Sequence, residues 1–289
     1  MIITMYCRIR SEYGPGKLSG LTEEEDSMKR KKLYGIFMIA AIAVFLFAAG
    51  RILQVYLNYR ESQKVYEQME EFTQKTENQD LSPEGGPGKT PEEVAEQGFL
   101  QVDFDKLGEI NPDVIAWIEI PGLKISYPVV QGRDNDYYLH HLITGENHKS
   151  GSIFMDFHNQ KDLSDRNSII YGHNMKDGSM FGTLDQYQSQ VLYQNYPCFY
   201  IYVPGYIYEY QIFSCYEAPT DHPAYTYDFP ASEDYEVFLE TLQRSAAYDT
   251  GMTVTKEDQV VTLSTCVNTR RDYRYLVHGK LKQKIKMEE

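Results

Sequence analysis

Seven short β-like runs between Ile115 and Leu281 constrain this 289-residue chain more than any other feature. They are Ile115 to Ile120, Ile125 to Val130, Ser168 to Tyr171, Phe199 to Val203, Tyr206 to Tyr216, Val260 to Thr265 and Tyr275 to Leu281. Pro121-Gly122-Leu123 joins the first pair, and Pro204-Gly205 makes a hairpin turn between the fourth and fifth. Short apolar and aromatic runs punctuated by turn residues predict an all-β sandwich or barrel. An aromatic content of 13%, with 25 tyrosines, suits such a domain. One strong helix interrupts the runs. Ser232 is its expected cap, Glu233 and Asp234 favour its positive end, and Tyr235, Phe238, Leu239 and Leu242 form one face.

The N-terminal third is of another kind. Leu33 to Gly50 carries no charge, follows the cluster Lys29-Arg30-Lys31-Lys32 and is closed by Arg51. As a helix it is roughly 27 Å long, close to the hydrocarbon thickness of a bilayer, and Ile52 and Leu53 extend it. Ala48-Ala49-Gly50 would suit a cleaved signal peptide, but the apolar run exceeds the usual core of about 7 to 15 residues. The expectation is an uncleaved single-pass anchor over 33–53. The basic flank holds residues 1–32 in the cytoplasm and the rest of the chain outside the cell membrane. Met28 directly precedes the basic cluster, so the first 27 residues read either as a cytoplasmic tail or as a misassigned start.

Beyond the charge-free run, Ile52, Val55, Tyr56, Tyr59, Tyr66, Met69 and Phe72 recur at roughly helical spacing. This juxtamembrane helix reads equally as a stalk or domain-packed helix and as a partly solvated linker. Ser82 to Pro91, rich in Pro and Gly, then breaks regular structure and marks a boundary, so 54–91 reads as helix and linker and 92–289 as the folded domain. A helical lead-in is expected over Glu92 to Gly108.

The net charge is −14, and the first 32 residues hold seven Lys/Arg against five Asp/Glu, which leaves −16 on the remainder. Nucleic-acid binding needs clustered basic residues, so this class is excluded. Of the four cysteines, Cys7 precedes the anchor, so at most three share a compartment. Cys198 and Cys215 lie on neighbouring runs as buried thiols or a bridge, and so low a cysteine count favours free thiols.

Chemistry concentrates late in the chain. Thr262-Leu263-Ser264-Thr265-Cys266 delivers a thiol to the end of a strand, and Arg274 opens the next run eight residues on. A thiol attacks as its thiolate and needs a cation or base beside it, and arginine stays charged at neutral pH. Ser168 to Met175 runs a strand into His173 beside Gly172, a loop of the kind that mounts catalytic groups. His278 is a rival base, but it sits in an apolar run beside Gly279 and reads as structural. Asp272 is a possible surface partner for Arg274. His140-His141 is a poor chelate because adjacent residues of a strand face opposite ways, and Asp156 with His158 is discounted as a metal pair in the same way. No phosphate-binding glycine loop and no HExxH spacing is present.

These features, taken with Trp117 to Gly122, Tyr127 to Gly132 and Asp134 to Leu139 in the same order, resemble the class B sortases, membrane-anchored cysteine transpeptidases of Gram-positive bacteria. The resemblance covers about Asp113 to Leu281. It implies a closed β-barrel of about eight strands, N-terminal helices, and an inserted helix before the cysteine strand. It assigns Cys266 as nucleophile, His173 as acid and base, and Arg274 as oxyanion or substrate-backbone stabiliser. Asn135, Leu139 and Ser264 match positions that contact the sorting peptide. The implied donor is a sorting signal of the LPxTG or NPxTN type on a secreted protein, cut after Thr, and the acceptor is a peptidoglycan-precursor or pilin amine. A monomer is expected, with no metal and no cofactor. Val267 follows the nucleophile where some relatives carry an acid or other polar group. An L,D-transpeptidase or papain-like peptidase would place its cysteine in a Ser-His-Gly-Cys context or at a helix start, and an inactive tethered binding domain would not need Cys, His and Arg together.

Overall fold

The computed structural model describes residues 15–75 and 98–287, with side chains over 27–74 and 98–287. The chain divides into two compact units, Met1–Asn58 and Tyr59–Glu289. Helix α1, Pro15–Glu70, begins in the first unit. There it exposes Leu33, Phe37, Val44, Phe45 and Phe47, each more than half accessible. It is long and apolar enough to cross a membrane.

In the second unit the last turns of α1 pack on the domain. Tyr66 and Met69 are buried in the main core, and the Tyr66 hydroxyl donates to the Gly151 carbonyl at 2.7 Å. The ring of Tyr66 meets Tyr127 edge-on, with centroids 5.2 Å apart. Strand β1, Thr73–Lys75, then pairs antiparallel with β2, Leu100–Val102. The compact unit therefore starts at Tyr59, upstream of the expected boundary at 92. The expected linker Ser82 to Pro91 lies outside the described residues. The expected helical lead-in is corrected over its described part: 100–102 is a strand, held there by pairing with β1, and helix α2 is confined to Phe104–Ile110. Asp103 caps α2 by accepting from the Lys106 N–H at 3.0 Å.

Eight strands then close into a barrel: β3, Val114–Ile120; β4, Ile125–Val130; β5, Ile153–Met155; β6, Asn167–Tyr171; β7, Cys198–Val203; β8, Tyr206–Pro219; β9, Val260–Val267; and β10, Arg270–Lys286. Around the barrel the order is β10-β8-β7-β3-β4-β5-β6-β9, with β9 paired to β10. Pairing is antiparallel except between β4 and β5 and between β6 and β9. Parallel neighbours need long crossovers. The one over 131–152 contains helix α3, Tyr137–His140, and the one after β6 contains α4, Gln190–Asn195, strands β7 and β8, and α5, Ser232–Arg244.

Alternation along the strands sorts side chains to two faces. Val261, Leu263 and Val277 enter the barrel core with Ile118 and Tyr210. A second cluster lies outside the barrel, where Tyr235, Phe238, Leu239 and Leu242 of α5 cover Phe213, Tyr216 and Leu276. Each such buried side chain contributes about 1.5–3 kcal/mol relative to exposure. The expected apolar face of this helix is the one buried, but its cap is Ala231 rather than Ser232. The Asp234 carboxylate turns back to accept from the Ala231 N–H at 3.2 Å, and Ser232 begins the helix.

Candidate active site

Cys266 and Arg274 are opposite one another in the β9–β10 ladder. Since Leu263 and Val261 point into the barrel core, Cys266 and Ser264 lie on its outer face. The parallel pairing of β6 with β9 sets Tyr171 beside Ser264, and the Gly172 N–H donates to the Ser264 carbonyl at 3.1 Å. Gly172 has no substitute here, because a Cβ would collide with Ile153 and Phe181. The next residue is His173, which therefore emerges at the same barrel end as the thiol.

The crossover 131–152 completes the constellation. His173 Nε2–H donates to the Leu139 carbonyl at 2.7 Å, which leaves Nδ1 as the ring's free acceptor. Burial holds His173 below the ordinary imidazole value, against the Leu139 hydrogen bond and with help from His140 and Arg274. Asn174 Nδ2 donates to the Cys266 carbonyl at 2.7 Å, and Asn268 Nδ2 donates to Asn174 Oδ1 at 3.2 Å. Arg274 Nη1 donates to the carbonyls of Arg271 and Tyr273 at 2.9 and 3.0 Å rather than to Asp272, so the rest of its guanidinium is directed by its own backbone.

All six residues singled out in the sequence, Asn135, Leu139, His173, Ser264, Cys266 and Arg274, line one cleft of about 380 Å³. The structure adds Asp156, His158, Tyr171, Thr220, Tyr225 and Tyr227 to its walls. Tyr225 hydrogen-bonds Ser264 through their hydroxyls at 2.9 Å and stacks near-parallel on Tyr171 at 6.3 Å. Asn135 is engaged at both ends, with Nδ2 on Asp156 Oδ2 at 2.8 Å and Oδ1 accepting from the Phe157 N–H at 3.1 Å. A larger hollow of about 460 Å³ lies beside β2, α2 and the β7–β8 turn, and neither thiol nor imidazole lines it.

The rivals fall away on geometry. His278 is wholly buried between Thr262 Oγ1 at 3.0 Å and the Tyr216 hydroxyl at 3.1 Å, and burial pushes it down to about 3. Cys198 and Cys215 are free thiols. Burial and Glu209 push Cys198 up to about 12, burial raises Cys215, and Cys215 donates to the Tyr187 carbonyl. Both are poor sources of thiolate. His141 stacks on Tyr137 at 4.0 Å, and among the described residues no group of three or more His, Cys, Asp or Glu is arranged to hold a metal.

A sortase-domain family model matches residues 118–282. Sortase B of Listeria monocytogenes is 39% identical over 188 residues, covering 64% of this chain and 76% of that protein. The chain belongs to the sortase family, class B. Sortase B of Staphylococcus aureus is 30% identical over 239 residues, 83% of this chain and 91% of its own length. Among solved structures, sortase B from B. anthracis in complex with AAEK1 superposes with a TM-score of 0.65 at 33% identity, covering 80% of this chain and 100% of that one. A Staphylococcus aureus sortase B–substrate complex gives 0.59 at 34% identity, with 64% and 85% covered. Membership brings sortase-type cysteine transpeptidase chemistry, and the closed eight-stranded barrel is the sortase fold.

Proposed function

We propose that this sortase is a membrane-anchored transpeptidase that cleaves a C-terminal sorting signal through Cys266 and passes the thioacyl product to an amine. The observation that carries the reading is the convergence of Cys266, Arg274 and His173 on one cleft from three separate stretches of chain. Neutral His173 takes the Cys266 proton as Sγ attacks the carbonyl carbon of the signal's threonine. The carbonyl π electrons move to oxygen, and the guanidinium of Arg274 stabilises that charge. The tetrahedral intermediate collapses by breaking the C–N bond, and the His173 imidazolium gives its proton to the departing amine. An incoming amine, losing a proton to His173, then attacks the thioacyl carbon and expels the Cys266 thiolate. Water in place of the amine gives hydrolysis.

The donor is a secreted protein with an LPxTG- or NPxTN-type signal, and the acceptor is a peptidoglycan-precursor or pilin amine. Support for a peptide donor comes from the Staphylococcus aureus relative solved with a substrate. Asn135, Leu139 and Ser264 line the donor's path, and Asn135 is braced by Asp156. The anchor is the exposed apolar stretch of α1, with Lys29 to Lys32 holding the N-terminus in the cytoplasm. Incubation with a sorting peptide and intact-mass measurement tests the chemistry: a thioacyl adduct forms on the natural chain and not on Cys266→Ala. Release of product by Cys266→Ala sinks the reading. Protease added to intact protoplasts digests the domain if the topology holds, and protection of the domain overturns it.

A further inference from the structure

The cleft holds a second imidazole, His158, that has no part in the chemistry above. His158 Nδ1–H donates to Asp156 Oδ1 at 2.8 Å, and the His158 backbone N–H donates to the same oxygen at 3.0 Å. The other carboxylate oxygen accepts from Asn135 Nδ2 and the Tyr171 hydroxyl, both at 2.8 Å. Asp156 is only 4% exposed, and although burial works to raise it, these donors hold its carboxyl below the usual range. Such a carboxylate fixes the tautomer of its histidine. The ring is further clamped by Phe157 at 3.8 Å and by Tyr227, stacked at 4.3 Å.

What this leaves is one oriented nitrogen. Nε2 of His158 has no protein partner among the described residues, while the side chain is 38% exposed and lines the cleft. The pair is joined to the Cys266 strand through other side chains. From the Cys266 strand the path runs through Ser264, the Tyr225 hydroxyl, the Tyr171 ring and Asp156 before it reaches His158. An imidazole fixed there is placed to read a bound side chain. The Asp156 carboxylate is already engaged by four donors, so Nε2 is the polar atom of the pair left to meet a bound side chain.

We propose that His158, positioned by Asp156, is a specificity-determining residue whose Nε2 hydrogen-bonds an amide- or hydroxyl-bearing side chain of the donor peptide, upstream of the cleaved bond. This rests on the peptide-cleaving function proposed above.

The test is a double-mutant cycle between protein and peptide. The detergent-solubilised full chain and His158→Phe, which keeps an aromatic ring for Tyr227 but has no ring nitrogen, are assayed on one sorting peptide. Each residue upstream of its threonine is replaced in turn by the nearest apolar isostere. In the natural chain one replacement raises KM roughly three- to tenfold at constant kcat, the worth of one hydrogen bond. In His158→Phe that replacement has no further effect. Equal responses of the two proteins at every position overturn the proposal, as does a fall in kcat alone that is common to all peptides. Titration of the same peptides into Cys266→Ala with and without His158→Phe reads recognition without turnover. Coupling in binding with no cleavage by the natural chain would therefore fault the transpeptidase reading and spare this one. Should His158→Phe not fold, Asp156→Asn serves instead. It removes the charge that fixes the tautomer, so the same peptide position loses discrimination, and unchanged discrimination counts against the proposal.

Discussion

Asn174 reaches from the His173 loop to donate a hydrogen bond to the carbonyl of Cys266 across 2.7 Å. One side chain thus ties the residue after the imidazole to the backbone of the thiol. An unsatisfied, part-buried carbonyl costs about 1–3 kcal/mol, and a tie lost between two reacting groups loosens their alignment. Asn174→Ala should lower kcat roughly tenfold or more with KM little changed. Asn174→Asp should be worse, since it sets an acceptor against an acceptor. A loss confined to melting temperature, with the kcat and KM of the folded fraction intact, would mean that Asn174 is merely structural.

Replacement of the proposed machinery should separate its members. Cys266→Ala abolishes both cleavage and transfer, because no thioacyl bond can form. His173→Ala retains the fold, which circular dichroism checks, and loses turnover by orders of magnitude. Arg274→Lys should cost about 10²–10³ in kcat. Lysine is a point charge and cannot reproduce the planar fork of guanidinium. Near-normal kinetics in Arg274→Lys would assign Arg274 a bulk electrostatic role instead.

The pH dependence follows from the sign of the His173 shift. Burial first, then His140 and Arg274, hold its folded value below the ordinary 6.5, so the ring is neutral at neutral pH. Neutral imidazole is the form that accepts the thiol proton, so kcat/KM should fall only as pH drops below 6.5. His140→Ala removes one of the influences that depress the ring. It should move the acidic limb toward higher pH without changing the plateau. A shift to lower pH would contradict the assignment of that limb to His173.

His278 makes a separate statement about stability. Its folded value is pushed down to about 3 by burial, whereas in the unfolded chain it titrates near about 6.5. Between those values the unfolded state binds the extra proton. Stability from this residue is therefore complete above pH 6.5 and declines as pH falls toward 3. His278→Gln keeps hydrogen-bonding capacity toward Thr262 and Tyr216 and does not titrate. Its melting temperature should fall less steeply than that of the natural chain over this window, and parallel slopes would remove His278 from the acid response.

Much of this was legible because the governing signals are local. Alternating apolar runs with Pro-Gly turns marked seven of the barrel strands, and Cys266 and His173 stood near strand ends, whereas β10 begins at Arg270, four residues before the Arg274 that was expected to open it. What escaped depends on distant partners. Ile153–Met155 is three residues long, buried throughout and without alternation, so only its neighbours β4 and β6 make it a strand. Leu100–Val102 needs Thr73–Lys75 in the same way. Asp156 and His158 could be dismissed as metal ligands from spacing, but their common use depends on Asn135, Tyr171 and Tyr227, contributed by three other stretches. Asn174 carried no signal beyond standing next to His173.

The last prediction concerns where a folding domain begins. A chain starting near Pro91 keeps every barrel strand and all three proposed catalytic residues, yet it omits Tyr66, Met69 and β1. The first two are 6% and 3% exposed within the main core. Removing them forfeits about 1.5–3 kcal/mol each in burial, uncovers Tyr127, and leaves the Gly151 carbonyl and the edge of β2 without partners. A chain starting at Tyr59 retains these contacts and omits residues 1–58, the exposed apolar stretch of α1 among them. Both should cleave a sorting peptide, but the longer one should melt several degrees higher and resist proteolysis near β2. Chelator added to either should leave activity unchanged, whereas a loss restored by calcium would require a metal site. Equal melting temperatures would show that the end of α1 rests on the barrel without stabilising it.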